Sequence, residues 1–368
     1  MLTRASNHPW PGETRRKTNS FSTNETRHHV GRRRLTSGFE PKVSIQTRTA
    51  HKRPANQRLT THPPRRSAPK HQCRYCHRRT PADTVERGGI KGGKLVAPEI
   101  DLKAAINAVS DVIQNRPRPI REFDQIYMKT GDMVMQSEFI ANWARDKQLV
   151  FIGDGDSISV CVAYLHAREI VPYGPSKITV LDFDERIVGA INRFADRERL
   201  ASLEGIRYNC LDPLPDLRRF DCFYTNPPWG ASNNGSSVNV FVQRGMEALG
   251  YAGDGVIVIA DDEDLDWPKS VLASVQSFAA AGGFYVSRMM PKLHSYHLDD
   301  NPELRSCNLI VSSLPGNADR GKSDRIDDPA VLENFYGQSQ SPRVRYVRER
   351  KRVDYGKASE EEYFFDLL

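Results

Sequence analysis

The spacing of hydrophobic and polar residues divides the chain into regions with different expected structures. Residues 1–95 follow neither a helical nor a strand period, whereas apolar residues between 96 and 146 recur at helical spacing. From residue 147 to about 315, short apolar runs alternate with amphipathic segments. This alternation predicts a parallel β-sheet covered by helices on both faces.

Within the alternating region, the pattern predicts seven strands and the helices that connect them. Five apolar runs predict buried parallel strands at 148–152, 177–182, 205–210, 220–225 and 255–260. The segments between them predict helices at 158–170, 185–202, 237–249 and 268–280. Two further runs, 283–287 and 307–313, are expected to pair back as a C-terminal antiparallel hairpin. The predicted fold is α/β, a doubly wound, Rossmann-like, mostly parallel seven-stranded sheet.

The regions on either side of this sheet receive separate assignments. Residues 1–95 are predicted to be a disordered basic N-terminal region, because they hold too little apolar surface to offset the entropy of folding. Residues 96–146 are predicted to form a helical extension of the domain at 147–315, with helices beginning near 101 and 132. Residues 316–368 are assigned as a polar C-terminal tail.

Charge changes the expected partner of the folded part. Residues 1–95 hold 22 basic and 5 acidic residues, a balance of +17, so the rest of a chain with net charge +7 carries −10. Acidic surfaces repel nucleic acid and attract polycations. The basic region has two interpretations, an arm for nucleic acid or anionic lipid, or a non-essential extension from an upstream start codon, and we favour the second.

Cysteine usage and hydropathy indicate a cytoplasmic protein. Four of the six cysteines are scattered through the predicted core, as reduced thiols are. No run of 18 apolar residues occurs and the N-terminus has no apolar signal segment, so neither a membrane span nor secretion is expected. Cys73 and Cys76 form a CxxC with flanking histidines, but structural zinc sites usually pair two such knuckles, so no metal is expected.

The loop after the first predicted strand carries two glycines and two acids. Open parallel sheets bind ligands at the carboxyl ends of their strands, and here Gly153, Asp154, Gly155 and Asp156 follow directly. The glycines let the backbone approach a ligand closely. The carboxylates would repel a pyrophosphate and attract a sulfonium with a free amine. Capping of the next helix by Asp156 or Ser157 is the structural alternative, and both roles can hold together.

Acids after the second and third strands fit a nucleoside. Asp182 ends the second strand, where an acid commonly binds both ribose hydroxyls. Asp212 follows the third strand and can accept a hydrogen bond from an adenine amino group, although it can also be a simple loop acid before Pro213. The strand ends therefore predict a donor site for S-adenosylmethionine or its decarboxylated form.

The most specific motif is Asn226-Pro227-Pro228-Trp229 after the fourth strand. The prolines lock the backbone and leave its carbonyls unpaired. The Asn226 side-chain oxygen and the Pro227 carbonyl can accept two hydrogens from one amine nitrogen, which directs the nitrogen lone pair at an electrophilic carbon. Trp229 can stack on a base or cover a cation. The motif predicts group transfer to an amine.

Two further polar segments are candidates for binding the acceptor. Asp261, Asp262 and Asp264 belong to a run of five acids in six positions after the fifth strand, and His297 lies between the last two strands. Such segments are often only solvated loops. Their place at the same edge of the sheet also predicts a polyamine-binding surface.

Four segments resemble the branched-chain polyamine synthase family, also called the N4-bis(aminopropyl)spermidine synthases, over about residues 98–315. They comprise residues 123–127, 153–157, 225–232 and 243–248. The strand-one motif of that family is Gly followed by three Asp, and here Gly155 stands in the middle acidic position. Archaeal members often carry Asp where Asn226 stands.

This resemblance implies a class I S-adenosylmethionine methyltransferase-like fold and a definite reaction. The expected enzyme moves an aminopropyl group from decarboxylated S-adenosylmethionine to the secondary amine of spermidine. The resemblance implies a place for Tyr127 beside the donor. The attacking nitrogen must be neutral, so Asp156 is the first candidate for the base and the 261–264 cluster the second. A homodimer is compatible with the sequence.

The same motifs also fit other classes of protein. An S-adenosylmethionine-dependent N-methyltransferase would present an exocyclic amine of DNA or RNA to the Asn-Pro-Pro-Trp motif, and the basic N-terminal region would add affinity for nucleic acid. A third class is a catalytically inactive binding or scaffold protein. The acidic domain and the acidic loop after the first strand favour a polyamine acceptor.

Overall fold

The structure is a computed structural model that describes residues 100–368, apart from 218–219, 300, 318–320, 337–341 and 351–361. The predicted disordered basic region at 1–95 lies outside the described residues, and so do Cys73 and Cys76.

A seven-stranded sheet forms the centre of the domain. Its strands are β1 (Gln148–Ile152), β2 (Lys177–Asp182), β3 (Leu203–Arg207), β4 (Cys222–Thr225), β5 (Asp254–Ala260), β6 (Phe284–Ser295) and β7 (Arg305–Ser313). They lie in the order β3-β2-β1-β4-β5-β7-β6. Strands β1 to β5 run parallel, and β7 is antiparallel to both neighbours. The predicted doubly wound sheet with a C-terminal antiparallel hairpin is confirmed.

Helices cover both faces of this sheet. They are α1 (Leu102–Asn115), α2 (Thr130–Trp143), α3 (Ile158–Ala167), α4 (Glu185–Glu198), α5 (Ser236–Ala248) and α6 (Asp266–Ala281). Helix α1 begins at Asp101, whose carboxylate accepts a hydrogen bond from the Ala104 amide at 3.0 Å. Helices α1 to α4 bury their apolar faces in one core cluster, and α5 and α6 contribute to a second. Among the described residues, no helix combines the length and apolarity needed to cross a membrane.

Two strands differ from their predicted bounds. Strand β6 has twelve residues and extends well past the predicted end at 287, because Arg288 and Lys292 do not interrupt an edge strand whose side chains are mostly exposed. Strand β3 ends at Arg207, so Tyr208 and Cys210 lie in the loop beyond it. That loop passes the carboxyl end of the sheet, where the candidate site lies.

Residues 316–368, assigned from sequence as a polar tail, include three further elements. They are α7 (Pro329–Leu332), β8 (Val344–Glu349) and β9 (Tyr363–Leu367), with β8 and β9 paired antiparallel. The Val347 amide donates to the Phe183 carbonyl at 3.3 Å, and Arg193 pairs with Glu349 at 2.9 Å. These strands are short and rich in charge, so their formation depends on such tertiary contacts. Their sequences therefore show little of the pattern that predicts a strand.

Candidate active site

One cavity opens at the carboxyl ends of β1, β2 and β4. Its lining contains four carboxylic acids, and none of the described residues lining it is Lys, Arg or His. The acids are Asp124, Asp154, Asp156 and Asp182. These carboxylates suit a cationic ligand.

Asp154 holds the start of α3. Its Oδ1 accepts from the Ile158 amide at 2.9 Å, and its Oδ2 accepts from the Ser159 amide at 3.2 Å and hydroxyl at 2.5 Å. Ser157 has a left-handed backbone with φ 62° and makes no side-chain cap. The expected capping of this helix by Asp156 or Ser157 was therefore wrong, because Asp154 reaches the free amides. Burial raises the pKa of Asp154 well above its ordinary value, and hydrogen bonds from Ser159 oppose this shift.

Asp156 is also buried and lies between the N-terminal extension and the loop after β4. Its Oδ1 accepts from the Met128 amide at 2.6 Å, and its Oδ2 accepts from Asn226 Nδ2 at 2.7 Å. Arg116 donates to the Asp156 main-chain carbonyl at 3.1 Å and lies 4.0 Å above the Tyr127 ring. Burial raises the pKa of Asp156, and the Arg116 charge opposes that rise. Tyr127 forms the wall of the cavity beside this acid.

Asp182 lines the cavity at the end of β2, as expected for a ribose-binding acid. It accepts from the amides of Asp154 at 3.0 Å and Asp184 at 2.8 Å, so both oxygens are held in place. Burial and the Asp184 charge raise the pKa of Asp182 to about 7. This acid and Asp154 are thus linked through the β1 loop.

Asp212 lies outside the residues that line the cavity. Its Oδ2 accepts from Arg345 Nη2 at 3.1 Å and from the Tyr346 hydroxyl at 3.3 Å. Both partners belong to β8, which the sequence left unassigned. The contact of Asp212 with adenine stays a prediction, and the structure gives its carboxylate other partners.

The Asn226-Pro227-Pro228-Trp229 motif forms one wall of the cavity. Trp229 is buried, with its ring centroid 5.0 Å from the Tyr296 ring in an edge-on contact and 6.5 Å from the Trp267 ring. Its Nε1 is buried and has no hydrogen-bond partner among the described residues. A buried donor without a partner is rare in folded proteins, and this one belongs to a residue of the cavity wall.

The predicted acceptor residues are not part of the cavity lining. Asp261 accepts from the Lys292 amide at 2.8 Å, and Asp262 accepts from the Asp264 amide at 2.8 Å. His297 donates its main-chain amide to the Tyr127 carbonyl at 2.9 Å, and its side chain is exposed. Substrate binding by these four residues stays a prediction.

The structure adds an acid that residue-by-residue reasoning did not select. Asp124 lines the cavity and has a left-handed backbone with φ 57°. Burial raises its pKa to about 6, against the charge of Arg121 and a hydrogen bond from the Trp229 main chain. Tyr296, Phe183 and Tyr336 also line the cavity. The only sequence signal for Asp124 was its position in the 123–127 segment that carries the family resemblance.

The sheet order, the antiparallel β7 and the cavity at the strand ends define an S-adenosylmethionine methyltransferase-like fold. The family model for the branched-chain polyamine synthase A C-terminal domain matches residues 104–367, and the chain belongs to this family. The resemblance read from the sequence motifs is confirmed.

Curated relatives and solved structures agree with this assignment. The N(4)-bis(aminopropyl)spermidine synthase of Thermus thermophilus is 27% identical over 187 residues, covering 50% of each chain. The enzyme of the same name from Thermococcus kodakarensis is 29% identical over 156 residues, covering 41% of each. The chain spans about half the length or less of the curated relatives it matches.

The fold is shared with a solved member of the family. The crystal structure of the Thermus thermophilus branched-chain polyamine synthase, in complex with N4-aminopropylspermidine and 5'-methylthioadenosine, has a TM-score of 0.51. It is 23% identical, and the match covers 61% of this chain and 67% of that one.

Proposed function

We propose that this protein transfers an aminopropyl group from decarboxylated S-adenosylmethionine to an amine nitrogen of a polyamine such as spermidine. The composition of the cavity wall is the main support for this proposal. The wall combines four carboxylic acids with the Asn-Pro-Pro-Trp motif and includes no basic side chain among its described residues. A polyamine is a flexible polycation, so such a wall attracts it along its length. Intact S-adenosylmethionine would bring an additional carboxylate into this negative field.

The donor fits the β1 and β2 side of the cavity. Asp182 is held by two amides in the position from which an acid binds a ribose. The adenine would lie among the apolar and aromatic side chains beyond it, which include Phe183, Tyr208, Cys210 and Tyr336. Asp154 accepts three hydrogen bonds from the start of α3 and Asp156 accepts two, so Asp124 is our first candidate to pair with the terminal ammonium of the donor and Asp156 the second.

The proposed chemistry is one displacement at carbon. The neutral amine nitrogen forms a bond to the propyl carbon while the bond from that carbon to sulfur breaks, which releases 5'-methylthioadenosine. Asn226 Oδ1 or the Pro227 carbonyl would accept the one hydrogen of a neutral secondary amine and so orient its lone pair towards the propyl carbon. The amine proton passes to a carboxylate, with Asp156 the first candidate because it contacts Asn226 at 2.7 Å. Asp124 is the second candidate.

The family supports this reaction by its names and ligands. Relatives carry the name N(4)-bis(aminopropyl)spermidine synthase, and the Thermus thermophilus structure holds a branched polyamine and 5'-methylthioadenosine. We place the reaction in the cytoplasm, which suits the four described cysteines, all buried and free. A homodimer remains a prediction.

A crossed assay tests the proposal against its rival. The full chain is incubated with decarboxylated or intact S-adenosylmethionine, each with spermidine or with RNA and DNA, and products are weighed by mass spectrometry. We expect a product heavier than spermidine by one aminopropyl group, and we expect it only in the reactions that contain the decarboxylated donor. Methylated nucleic acid without any polyamine product would replace this proposal with the N-methyltransferase function.

A further inference from the structure

The connector between α1 and α2, residues 116–129, binds Asp156 at two points. At one end of the connector, Arg116 Nη1 donates to the main-chain carbonyl of Asp156 at 3.1 Å. At the other end, the Met128 amide donates to Oδ1 of the Asp156 carboxylate at 2.6 Å. Both donors lie outside the loop after β1, so the connector fixes the main chain of Asp156 as well as its side chain.

The Asp156 carbonyl depends on Arg116 because it lies just before α3. At the start of that helix, the Cys161 amide donates to the Ser157 carbonyl at 3.1 Å, one residue further along the chain. Asp156 is buried, and a buried carbonyl without a partner destabilises a fold. Arg116 supplies this partner from the end of α1.

The Arg116 guanidinium is itself held in place by an aromatic ring. Its central carbon lies 4.0 Å from the centroid of the Tyr127 ring, a favourable arrangement for a cation. The Tyr127 hydroxyl donates to the Pro117 carbonyl at 2.9 Å, which ties the ring to the residue after Arg116. Tyr127 lines the cavity and Arg116 does not, so the guanidinium acts on Asp156 without being part of the lining.

The Met128 end of the connector is fixed by the segment that follows β6. The Lys129 amide donates to the Ser295 carbonyl at 2.8 Å, and the His297 amide donates to the Tyr127 carbonyl at 2.9 Å. These main-chain bonds lie on either side of Met128. They hold its amide where the Asp156 carboxylate accepts from it.

The charges around Asp156 give Arg116 a second effect. Burial raises the pKa of Asp156, and the Arg116 charge opposes this rise more strongly than His297 does. Asp154, on the same loop, is the neighbouring acid, and the two negative charges oppose each other. Burial raises the pKa of the other titratable groups that face Asp156, so they stay uncharged at neutral pH. These groups are Tyr127, Cys161, Tyr224 and Tyr296.

We propose that Arg116 is a positioning residue for Asp156, which holds the main chain of this acid and places a positive charge near its carboxylate from outside the cavity lining. The proposal rests on the aminopropyl-transfer function, in which Asp156 accepts the proton of the amine. Without the guanidinium, the main chain of Asp156 would lose a partner. A larger share of the carboxyl groups would also be protonated at neutral pH and unable to accept that proton.

The pH dependence of kcat gives the first test. At pH 7, Arg116→Met should lower kcat at least about tenfold, because a nearby opposite charge changes the ionisation of a carboxyl by about this factor or more. The fall in kcat on the acid side should lie at higher pH than in wild type. Arg116→Lys keeps the charge and should restore the wild-type position of this fall.

The matched control is Arg145→Met, which removes a guanidinium that lies 4.5 Å from the centroid of the Tyr173 ring, outside the cavity lining. Its pH profile should match that of wild type. The acceptor amine titrates in the same way with every variant, so a difference between profiles reports the enzyme. An acid-side fall at the same pH in Arg116→Met and wild type would overturn the proposal.

Direct titration of the Asp156 carboxyl gives a second test that needs no reaction. Carboxyl 13C spectra of the ligand-free full chain, with the Asp156 signal assigned by its loss in Asp156→Asn, should give a higher pKa in Arg116→Met than in wild type. Adding His297→Gln to both chains removes the other cation that titrates nearby. An equal or lower pKa in Arg116→Met would overturn the proposal. A higher pKa in this variant, with no polyamine product from wild type, would refute the proposed function and leave the positioning of Asp156 standing.

Discussion

The substitution Asp124→Asn is expected to stabilise the ligand-free protein while weakening its hold on a polyamine. Burial of the carboxylate raises its pKa from 3.8 to about 6, against the charge of Arg121 and a hydrogen bond from the Trp229 main chain, so ionisation opposes folding at neutral pH. Asparagine keeps an oxygen for the Trp229 main chain and tolerates the left-handed backbone, here φ 57°. The substitution therefore removes the charge with little other change.

Linkage gives the size and the sign of the effect. A group with a raised folded-state pKa contributes most to stability below its unfolded pKa, and that contribution is lost as the pH rises through the folded value. With pKa values of 3.8 and about 6, the cost in wild type is about 0.5 kcal/mol at pH 4 and about 3 kcal/mol at pH 8. Asp124→Asn has no charge at this position, so its free energy of unfolding lacks this penalty.

Urea unfolding at pH 4 and pH 8 without ligand measures the difference. The free energy of unfolding of Asp124→Asn should exceed that of wild type at pH 8, with most of the gain absent at pH 4. Asp111→Asn, at an exposed position on α1, is the control and should show no such gap. If the variant were only as stable as wild type at pH 8, or less stable, the claim that ionised Asp124 destabilises the folded protein would be refuted.

Four further outcomes follow from the contacts. The spermidine KM of wild type should rise as pH falls below about 6, because protonated Asp124 no longer attracts a cation, and Asp124→Asn should lack this step in a pH series. Asp156→Asn should lower kcat at least about 100-fold while circular dichroism stays native, since general bases contribute that much; near-normal turnover would remove Asp156 from the mechanism. Asp212→Asn should change the donor KM less than about twofold, since Asp212 lies outside the cavity lining and its carboxylate pairs with the exposed Arg345; a larger rise in the donor KM would support the predicted contact with adenine. Arg244→Met should lower the free energy of unfolding by about 3 kcal/mol or more in urea titrations, because Glu247 would remain nearly buried without its ion pair; a loss below 1 kcal/mol would contradict this.

The parallel core could be predicted because its strands are continuous apolar runs. β1, β2, β4 and β5 were each found within two residues of their observed bounds, and the acids that follow β1 and β2 reached the cavity as expected. Asp154, Asp156 and Asp182 have backbone positions set directly by a strand end, so strand prediction located them as well.

Residues whose positions depend on tertiary contacts could not be placed in this way. Asp124 reaches the cavity because the chain before α2 folds across the strand ends, and no local period signals that path. Asp212 pairs with Arg345 of β8, a strand that the sequence pattern did not predict, and its contact with adenine stays a prediction. The acids after β5 contact Lys292 and each other and do not line the cavity, and their predicted role in binding the acceptor stays a prediction.

The most direct test of the account is the release of 5'-methylthioadenosine from decarboxylated S-adenosylmethionine, measured with and without spermidine. We predict release that requires spermidine, equals the number of aminopropyl groups added to it, and disappears in Asp156→Asn. The claim is that this cavity catalyses bond formation between a polyamine nitrogen and the propyl carbon of the sulfonium donor. It would be contradicted if the donor stayed intact in the presence of spermidine, or if it broke down at the same rate without spermidine.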